Sequence, residues 1–188
     1  MGNNKDLVSA GKPKVGGAVF KAPKGTTVPT DAVSSLAEAY VSAGYCSEDG
    51  VTNSNSITVN DVKAWGGDIV LSAQTEKKDT FKFKLIEGLN PEVLKIVHGE
   101  KNVEGDLESG ISVKVNSDEH DDFVWVVDMI MKGGILKRIV FPSAAVTAIE
   151  DVAYQDSGAI GYGITLTAHP DKDGNTHYEY ISKPTNTL

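Results

Sequence analysis

Five residues near the C-terminus have the types and order that begin a calcium-binding loop. They are Asp171-Lys172-Asp173-Gly174-Asn175, in which alternate side chains offer oxygen ligands to a hard cation. An EF-hand loop also needs a bidentate Glu near its twelfth position, which is Ser182 here, and a helix on each side. Since Asp-Gly is a favoured turn pair, we interpret this segment as a turn between two strands.

The histidines and the cysteine form no recognisable metal or nucleophile pattern. His169 and His177 could approach each other across that turn, but zinc would need two more ligands, and Cys46 is far away along the chain. The sequence has no Gly-x-Ser-x-Gly elbow. Cys46 lies in a strand-like segment, where a cysteine is more often a small buried hydrophobe than a nucleophile. We therefore predict no catalytic residue, no cofactor and no metal, and a protein that is not an enzyme.

Charge is distributed unevenly along the 188 residues, whose formal net charge is −8. Residues 1–24 carry five lysines against Asp6 alone, whereas residues 100–122 carry eight acids against two lysines. Three interpretations stay open. The two segments are a solvated basic arm and a solvated acidic loop, or their opposite charges meet between neighbouring copies. In the third, the acidic stretch faces a molecule that must not bind to it. The balance argues against a protein that grips nucleic acid, which requires clustered Lys and Arg.

The elements that would position these residues are mostly strands. From about residue 56 to residue 182, apolar and polar residues alternate in runs joined by short polar turns, most clearly in Thr80–Leu85. The pattern predicts a hairpin in which strands 68–75 and 79–87 are joined by Glu76-Lys77-Lys78. Residues 48–67 are polar and weakly patterned, so we predict a long loop there.

Helix signals occur in two places. Asn90 is a favourable N-cap, Pro91 suits the first helical position and Gly99 suits the end, so a short helix is predicted at about 90–98. A second short helix is predicted from Thr30 or Asp31 to Tyr40. Many strands with a short flanking helix predict a mainly β fold, an antiparallel sandwich or barrel.

The chain is predicted to hold one domain. Residues 15–182 form the β domain. Residues 1–14 are polar and contain lysine and glycine without periodicity, which predicts a flexible N-terminal arm. Residues 183–188 form a short C-terminal tail.

Three groups of segments are informative through their order and spacing. They are Gly44–Val51; then Lys63–Asp68, Phe81–Glu87 and Asn90–Lys95; then Arg138–Pro142, Gly158–Tyr162 and His169–Thr176. Together they resemble the major tail tube proteins of long-tailed, non-contractile bacteriophages, in the branch found in phages of Gram-positive hosts. The resemblance covers roughly residues 15–182.

The resemblance implies a structural virion protein with the tail tube fold. Six-membered rings would stack into a tube around a tape measure protein, and DNA would later pass through the lumen without specific binding. Tail terminator and distal tail proteins would be further partners, and the virion tail would be assembled in the bacterial cytoplasm. Two alternatives stay open: the tube of a contractile tail or secretion machine, and a non-catalytic β-sandwich binding module.

The resemblance also implies that 48–67 is an assembly loop that becomes ordered on stacking. Val51, Ile57, Val59 and Trp65 are apolar residues there without an obvious local core, so they are predicted ring-to-ring contacts. Deleting residues 51–60 should leave a folded monomer that cannot polymerise. A set of acidic residues is predicted to line the lumen or to form an interface: Asp106, Glu108, Asp118, Glu119, Asp121 and Asp122.

Overall fold

The computed structural model describes residues 2–184, which contain eleven strands, one α-helix and three short 3-10 helices (Lys5–Leu7, Glu100–Asn102 and Lys132–Gly134). The strands are β1 (Lys12–Pro13), β2 (Val19–Pro23), β3 (Val41–Ser42), β4 (Cys46–Lys63), β5 (Ile69–Leu85), β6 (Val103–Glu104), β7 (Ser112–Val113), β8 (Phe123–Ile130), β9 (Leu136–Ile149), β10 (Tyr162–Ala168) and β11 (Tyr178–Ser182). The helix is α1 (Pro91–His98). All strand pairs are antiparallel, which confirms the predicted fold class.

Nine strands form one sheet that curls around the main core. Its order is β3-β2-β8-β9-β10-β5-β4, with β1 paired to β8 and β11 paired to β9. Val19 and Ala43, near one end of this order, share a hydrophobic cluster with Leu85, near the other end. The two ends therefore approach each other across the core. Strands β6 and β7 form a separate small ribbon.

The two central strands β8 and β9 are buried on both faces. Trp125 and Val127 point into the main core, whereas Val124, Val126 and Val140 join a second cluster beneath the segment 28–40. Burial on both faces explains why β8 is apolar at nearly every position instead of alternating.

The helix α1 forms where its capping residues predict it. The Asn90 side chain accepts a hydrogen bond from the Glu92 amide at 2.9 Å, and Pro91 occupies the first turn. Gly99 ends the helix with a φ of 96°. Its apolar face packs on the main core through Val93, Leu94, Ile96 and Val97. The predicted helix at 90–98 is confirmed.

A buried ion pair lies between the sheet and the segment that covers it. Arg138 Nε and Nη2 donate to the two carboxylate oxygens of Asp128 at 2.6 and 2.8 Å. Arg138 Nη1 donates to the carbonyls of Asp31 and Ser34 at 3.1 and 2.9 Å. This bidentate geometry satisfies both charges and attaches residues 31–34 to β9.

The helix predicted over residues 30–40 is wrong. Asp31 Oδ1 does accept hydrogen bonds from the amides of Val33 and Ser34, each at 2.6 Å, as an N-cap would. The carbonyls of Asp31 and Ser34, however, are taken by Arg138 and not by a following helical turn. Tyr40 is buried in the second cluster, so tertiary contacts replace the helix.

The predicted hairpin and the predicted loop are also wrong. Strand β5 runs from Ile69 to Leu85 without a break, so Glu76-Lys77-Lys78 lies within a strand. The turn lies at 64–68 instead, where Gly66 and Gly67 have φ values of 126° and 99°. Residues 48–63 belong to β4, the partner of β5. Their polar side chains suggested a loop because this part of the sheet has little or no buried face.

The termini are described only in part. Lys12 and Pro13 pair with Ile130 and Met129, and the Lys132 amide donates to Ser9 Oγ at 2.7 Å. The flexibility predicted for residues 1–14 stays a prediction. Of the predicted tail 183–188, residues 185–188 lie outside the described residues, as does residue 1 of the N-terminal arm.

Candidate assembly interface

The outer parts of β4 and β5 leave the body of the protein as a two-stranded ribbon. We call residues 52–78 the arm, because every residue in this range is exposed, whereas Asp79 and Thr80 are buried. At about 3.3 Å per residue, the twelve arm residues of β4 extend for roughly 40 Å. An isolated two-stranded ribbon is at best marginally stable in water, so the arm lacks the support that other strands receive from the core.

The arm exposes seven large apolar side chains. Trp65 at its turn has a relative exposure of 107%, and Ile57 and Val59 are more than half exposed. The structure adds further exposed apolar residues that the sequence analysis had not included, and they lie on the second half of the ribbon or next to the turn: Val62, Ile69, Val70 and Leu71. The signal in the sequence is the run Ile69-Val70-Leu71, which lies in the predicted hairpin strand 68–75. Clustered exposed apolar residues mark an interaction surface.

Val51 differs from the other predicted ring contacts. It lies opposite Phe83 in the β4–β5 ladder and packs against the main core. The premise that Val51 lacks a local core is therefore wrong. The other three predicted contact residues, Ile57, Val59 and Trp65, project from the arm without such support.

The charges of the arm balance although the chain as a whole is acidic. Three acids and three lysines lie in it: Asp61, Asp68, Glu76, Lys63, Lys77 and Lys78. Copies of such an arm can approach one another without net like-charge repulsion, whereas two whole molecules of charge −8 repel each other at long range.

Both long edges of the arm are open within the described residues. Strand β4 is the last strand of the sheet and pairs only with β5. Strand β5 pairs with β10 only from Thr80 to Leu85, so its arm portion has a free edge as well. Open edges present unpaired N–H and C=O groups and are templates for a strand from another chain.

A buried carboxylate marks the base of the arm. Asp79 Oδ2 accepts hydrogen bonds from Thr176 Oγ1 at 2.6 Å and His177 Nδ1 at 2.5 Å, and Asp79 Oδ1 accepts one from Asn53 Nδ2 at 2.8 Å. Burial would raise the pKa of Asp79, but these hydrogen bonds outweigh it and hold the pKa below its usual value. The resulting stabilisation is present above the unfolded-state pKa and is lost as pH falls through the folded-state pKa.

The six acidic residues predicted to line the lumen or an interface differ in their contacts and in their exposure. Asp106 closes a turn by accepting from the amide of Ser109 at 2.7 Å, and Glu108 lies in the same exposed turn. Asp122 is half-buried and bonds to Lys24 at 2.7 Å and His169 at 2.9 Å. The remaining three, Asp118, Glu119 and Asp121, are exposed.

Part of the basic N-terminal charge is neutralised within the same chain. Lys21 is buried, contacts Glu100 and lies 4.6 Å from the centroid of the Phe123 ring. Lys24 bonds to Asp122. Both lysines therefore pair with the acidic stretch of the same chain; Lys21 is buried there, whereas Lys24 stays exposed.

His169, His177 and the calcium-loop-like segment 171–175 form hydrogen bonds that stabilise the fold. His169 and His177 contact different carboxylates, Asp122 and Asp79. In the segment 171–175, Asp171 Oδ1 accepts from the amides of Asp173 and Asn175, which makes this segment the turn between β10 and β11.

Within residues 2–184, His, Cys, Asp and Glu side chains form no group of three that could hold a metal ion. No helix in that range is long and apolar enough to span a membrane.

Cys46 should be unreactive in the native protein. Burial raises the pKa of its thiol to about 11, so the thiol is protonated at neutral pH. We expect iodoacetamide to alkylate the native protein roughly 100-fold more slowly than the urea-unfolded chain, because only the thiolate reacts. A mass-spectrometric time course measures both rates, and equal rates would contradict the prediction.

Comparison with known proteins agrees with the resemblance described above. The family described as phage tail tube protein matches residues 1–188. A solved structure, the cap that terminates the tube of the anti-feeding prophage, aligns with a TM-score of 0.47 and 7% identity over 97% of this chain and 100% of that chain. So low a similarity supports no argument about this chain, and a search of curated proteins finds no match. Because the family match covers the whole sequence, the chain belongs to the phage tail tube protein family, a family of structural tail components.

Proposed function

We propose that this protein assembles into six-membered rings that stack into a tail tube, the conduit through which phage DNA reaches the host. The observation that carries the proposal is the arm: a long exposed ribbon with two open edges and seven exposed large apolar side chains. A monomer gains nothing from such a ribbon, whereas a polymer buries it. The role is structural and needs no catalytic group.

The arm supports a head-to-tail contact between copies. In this proposal the arm of one copy binds a different surface of the next copy and not the arm of that copy. Contacts of this heterologous kind close into rings or continue as open helical assemblies, depending on the rotation between copies. In this proposal Ile57, Val59 and Trp65 contact the adjacent ring, joined by the apolar residues of the β5 side of the arm.

The remaining partners follow from the family. A tape measure protein would occupy the lumen during assembly in the host cytoplasm, and tail terminator and distal tail proteins would bind the two ends of the tube. DNA would pass without specific binding. The branch found in phages of Gram-positive hosts and the non-contractile tail remain predictions.

Negative-stain electron microscopy of the concentrated protein tests the proposal. Hollow tubes or hexameric rings are the expected result. A species that stays monomeric at all concentrations and binds a ligand stoichiometrically would contradict it and favour a binding module.

We further propose that the acidic stretch faces the lumen. The exposed carboxylates Asp118, Glu119 and Asp121 would then repel DNA phosphates and keep the conduit from binding its cargo. Asp122 is excluded from this role because it already bonds to Lys24 and His169.

Neutralising these three acids distinguishes the lumen from an interface. The variant Asp118→Asn, Glu119→Gln, Asp121→Asn should form tubes of normal shape that retain DNA fragments diffusing into them more strongly at low salt. Co-sedimentation of labelled DNA with assembled tubes measures the retention. The matched control is Glu38→Gln, Asp151→Asn, Asp156→Asn, which removes three exposed acids outside the acidic stretch. Failure of the triple variant to form tubes would place the acids in an interface instead.

A further inference from the structure

The arm joins the body at a single position on β5. Thr80 is the last residue of β5 that pairs with β10, opposite Thr167. Asp79, the next residue toward the arm, is 1% exposed, whereas its neighbour Lys78 is exposed. Beyond Asp79 the two arm strands are held only by each other among the described strand pairs. Residue 79 is therefore the last buried position of β5 before the arm begins.

Three side chains hold it, and they come from two different parts of the chain. Asn53 belongs to β4 and donates to Asp79 Oδ1, and it also donates to the Thr80 carbonyl at 3.2 Å. Thr176 and His177 belong to the segment that leads into β11, and both donate to Asp79 Oδ2. Hydrogen bonds to an ionised carboxylate are among the stronger ones in proteins, and a buried carboxylate without them would be costly.

The histidine is itself attached to the body. Its ring meets Phe81 edge-on with centroids 5.3 Å apart, and its centroid lies 6.0 Å from that of Phe141 on β9. Asp79 is thus linked through His177 to the centre of the sheet and through Asn53 to the outer strand of the arm. This linkage joins the C-terminal segment to the arm, and buried Thr80 adds a hydrogen bond from its Oγ1 to the carbonyl of arm residue Ser54 at 3.4 Å.

We propose that Asp79, His177 and Thr176 form a latch that sets the direction of the arm relative to the body. They act as positioning residues for assembly, since a ribbon whose tip lies roughly 40 Å away amplifies a small angular change at its base. The significance of the latch for tubes rests on the proposed function, but its effect on arm direction does not, and the two are measured separately.

Arm direction is measured in the monomer by double electron–electron resonance. Spin labels are placed at Val70→Cys on the arm and Ala148→Cys on β9, both exposed, in a Cys46→Ser background. The monomeric fraction is isolated by size-exclusion chromatography. In this parent protein we expect one narrow distribution of the distance between the two labels. We expect that distribution to broaden when Asp79→Asn, Thr176→Val or His177→Phe is added. His177→Phe keeps an aromatic ring against Phe81 while removing the donor.

The matched control is Asp61→Asn. Asp61 is another arm carboxylate, which accepts from Ser72 Oγ at 2.6 Å, but it is exposed and lies far from the base. The latch is supported if the distance distribution broadens in the three latch variants, stays narrow in the control, and the unfolding midpoint of the body is retained. An unchanged distribution, equal broadening in the control, or unfolding of the body in all three variants would overturn it.

Assembly provides the second readout. Latch variants with a normal body are expected to form tubes more slowly or with irregular rings, as followed by light scattering and electron microscopy. If the parent protein forms no tubes, the proposed function fails while the resonance result still decides the latch. Normal tubes from variants whose arm direction is lost would show that the latch does not position assembly.

Discussion

A variant in which Asn-Gly joins Ser56 directly to Lys78 is expected to fold as a stable monomer and to lose tube formation completely. Ser56 and Lys78 lie opposite each other in the ladder, so a two-residue turn can close the shortened hairpin. Every residue removed is exposed, and none belongs to either hydrophobic cluster. The core and the latch at Asp79 stay intact. Circular dichroism, denaturant unfolding and negative-stain microscopy test the two halves of this prediction.

This shortened hairpin is a cleaner test than the deletion of residues 51–60 that the sequence suggests. That deletion would also remove Val51, which packs against the core, and Asn53, which donates to Asp79. Loss of assembly could then result from damage to the body. With the arm replaced by a turn, normal tubes would contradict the assembly role directly.

Point variants refine the arm prediction. Trp65→Ser removes the most exposed apolar side chain at the arm turn and should slow or abolish polymerisation without changing monomer stability. Leu89→Ser is the control, since Leu89 is 69% exposed but lies outside the arm and outside the acidic stretch. If both variants slow assembly equally, general surface hydrophobicity and not the arm would drive it.

Arg138→Met is expected to lower the free energy of unfolding by about 3–5 kcal/mol, the typical loss when one member of a buried ion pair is removed. The substitution leaves Asp128, which is 3% exposed, without its bidentate partner. It also frees the carbonyls of Asp31 and Ser34, so the segment over the second cluster loses its attachment. Lys14 Nζ, 3.5 Å from Asp128, provides only partial compensation at the margin of the site.

Two companion variants make the Arg138 prediction specific. Lys137→Met removes the neighbouring ion pair with Glu179, which is more exposed, and should cost about 0–1 kcal/mol. The double variant Arg138→Met, Asp128→Leu should recover much of the lost stability, because no unpaired charge stays buried. Urea unfolding of the four proteins forms the comparison, and equal losses for Arg138→Met and Lys137→Met would contradict a buried pair.

Some elements follow from local sequence because one face of each is buried and the other is not. In Tyr162–Ala168 the alternation of apolar and small polar residues predicts the strand that the structure contains. Asn90, Pro91 and Gly99 specify α1 through backbone hydrogen bonds and φ preferences that involve only their neighbours. The resemblance to tail tube proteins, carried by ordered segments over most of the chain, was confirmed by the family match.

Other elements depend on partners that are distant in sequence. Residues 31–34 have a helix cap, yet Arg138 takes the carbonyls that a helix would need, and Arg138 lies more than a hundred residues away. Asp128 interrupts the apolar strand β8, and only the tertiary structure brings it the Arg138 guanidinium that pairs with its buried charge. The hydrogen bonds that hold the carboxylate of Asp79 likewise come from residues distant in sequence, Thr176 and His177.

The arm shows most clearly which features the sequence determines and which the tertiary structure decides. Its sequence by itself determined that residues 57–65 hold apolar side chains among polar ones, and so marked a surface suited to contact. Alternation could not reveal its secondary structure, because a ribbon exposed on both faces places no demand on either face. Only the pairing of residues 46–63 with 69–85 decided that this segment is a strand, where it turns and how far it projects. That pairing is a long-range backbone contact, which local residue types do not encode.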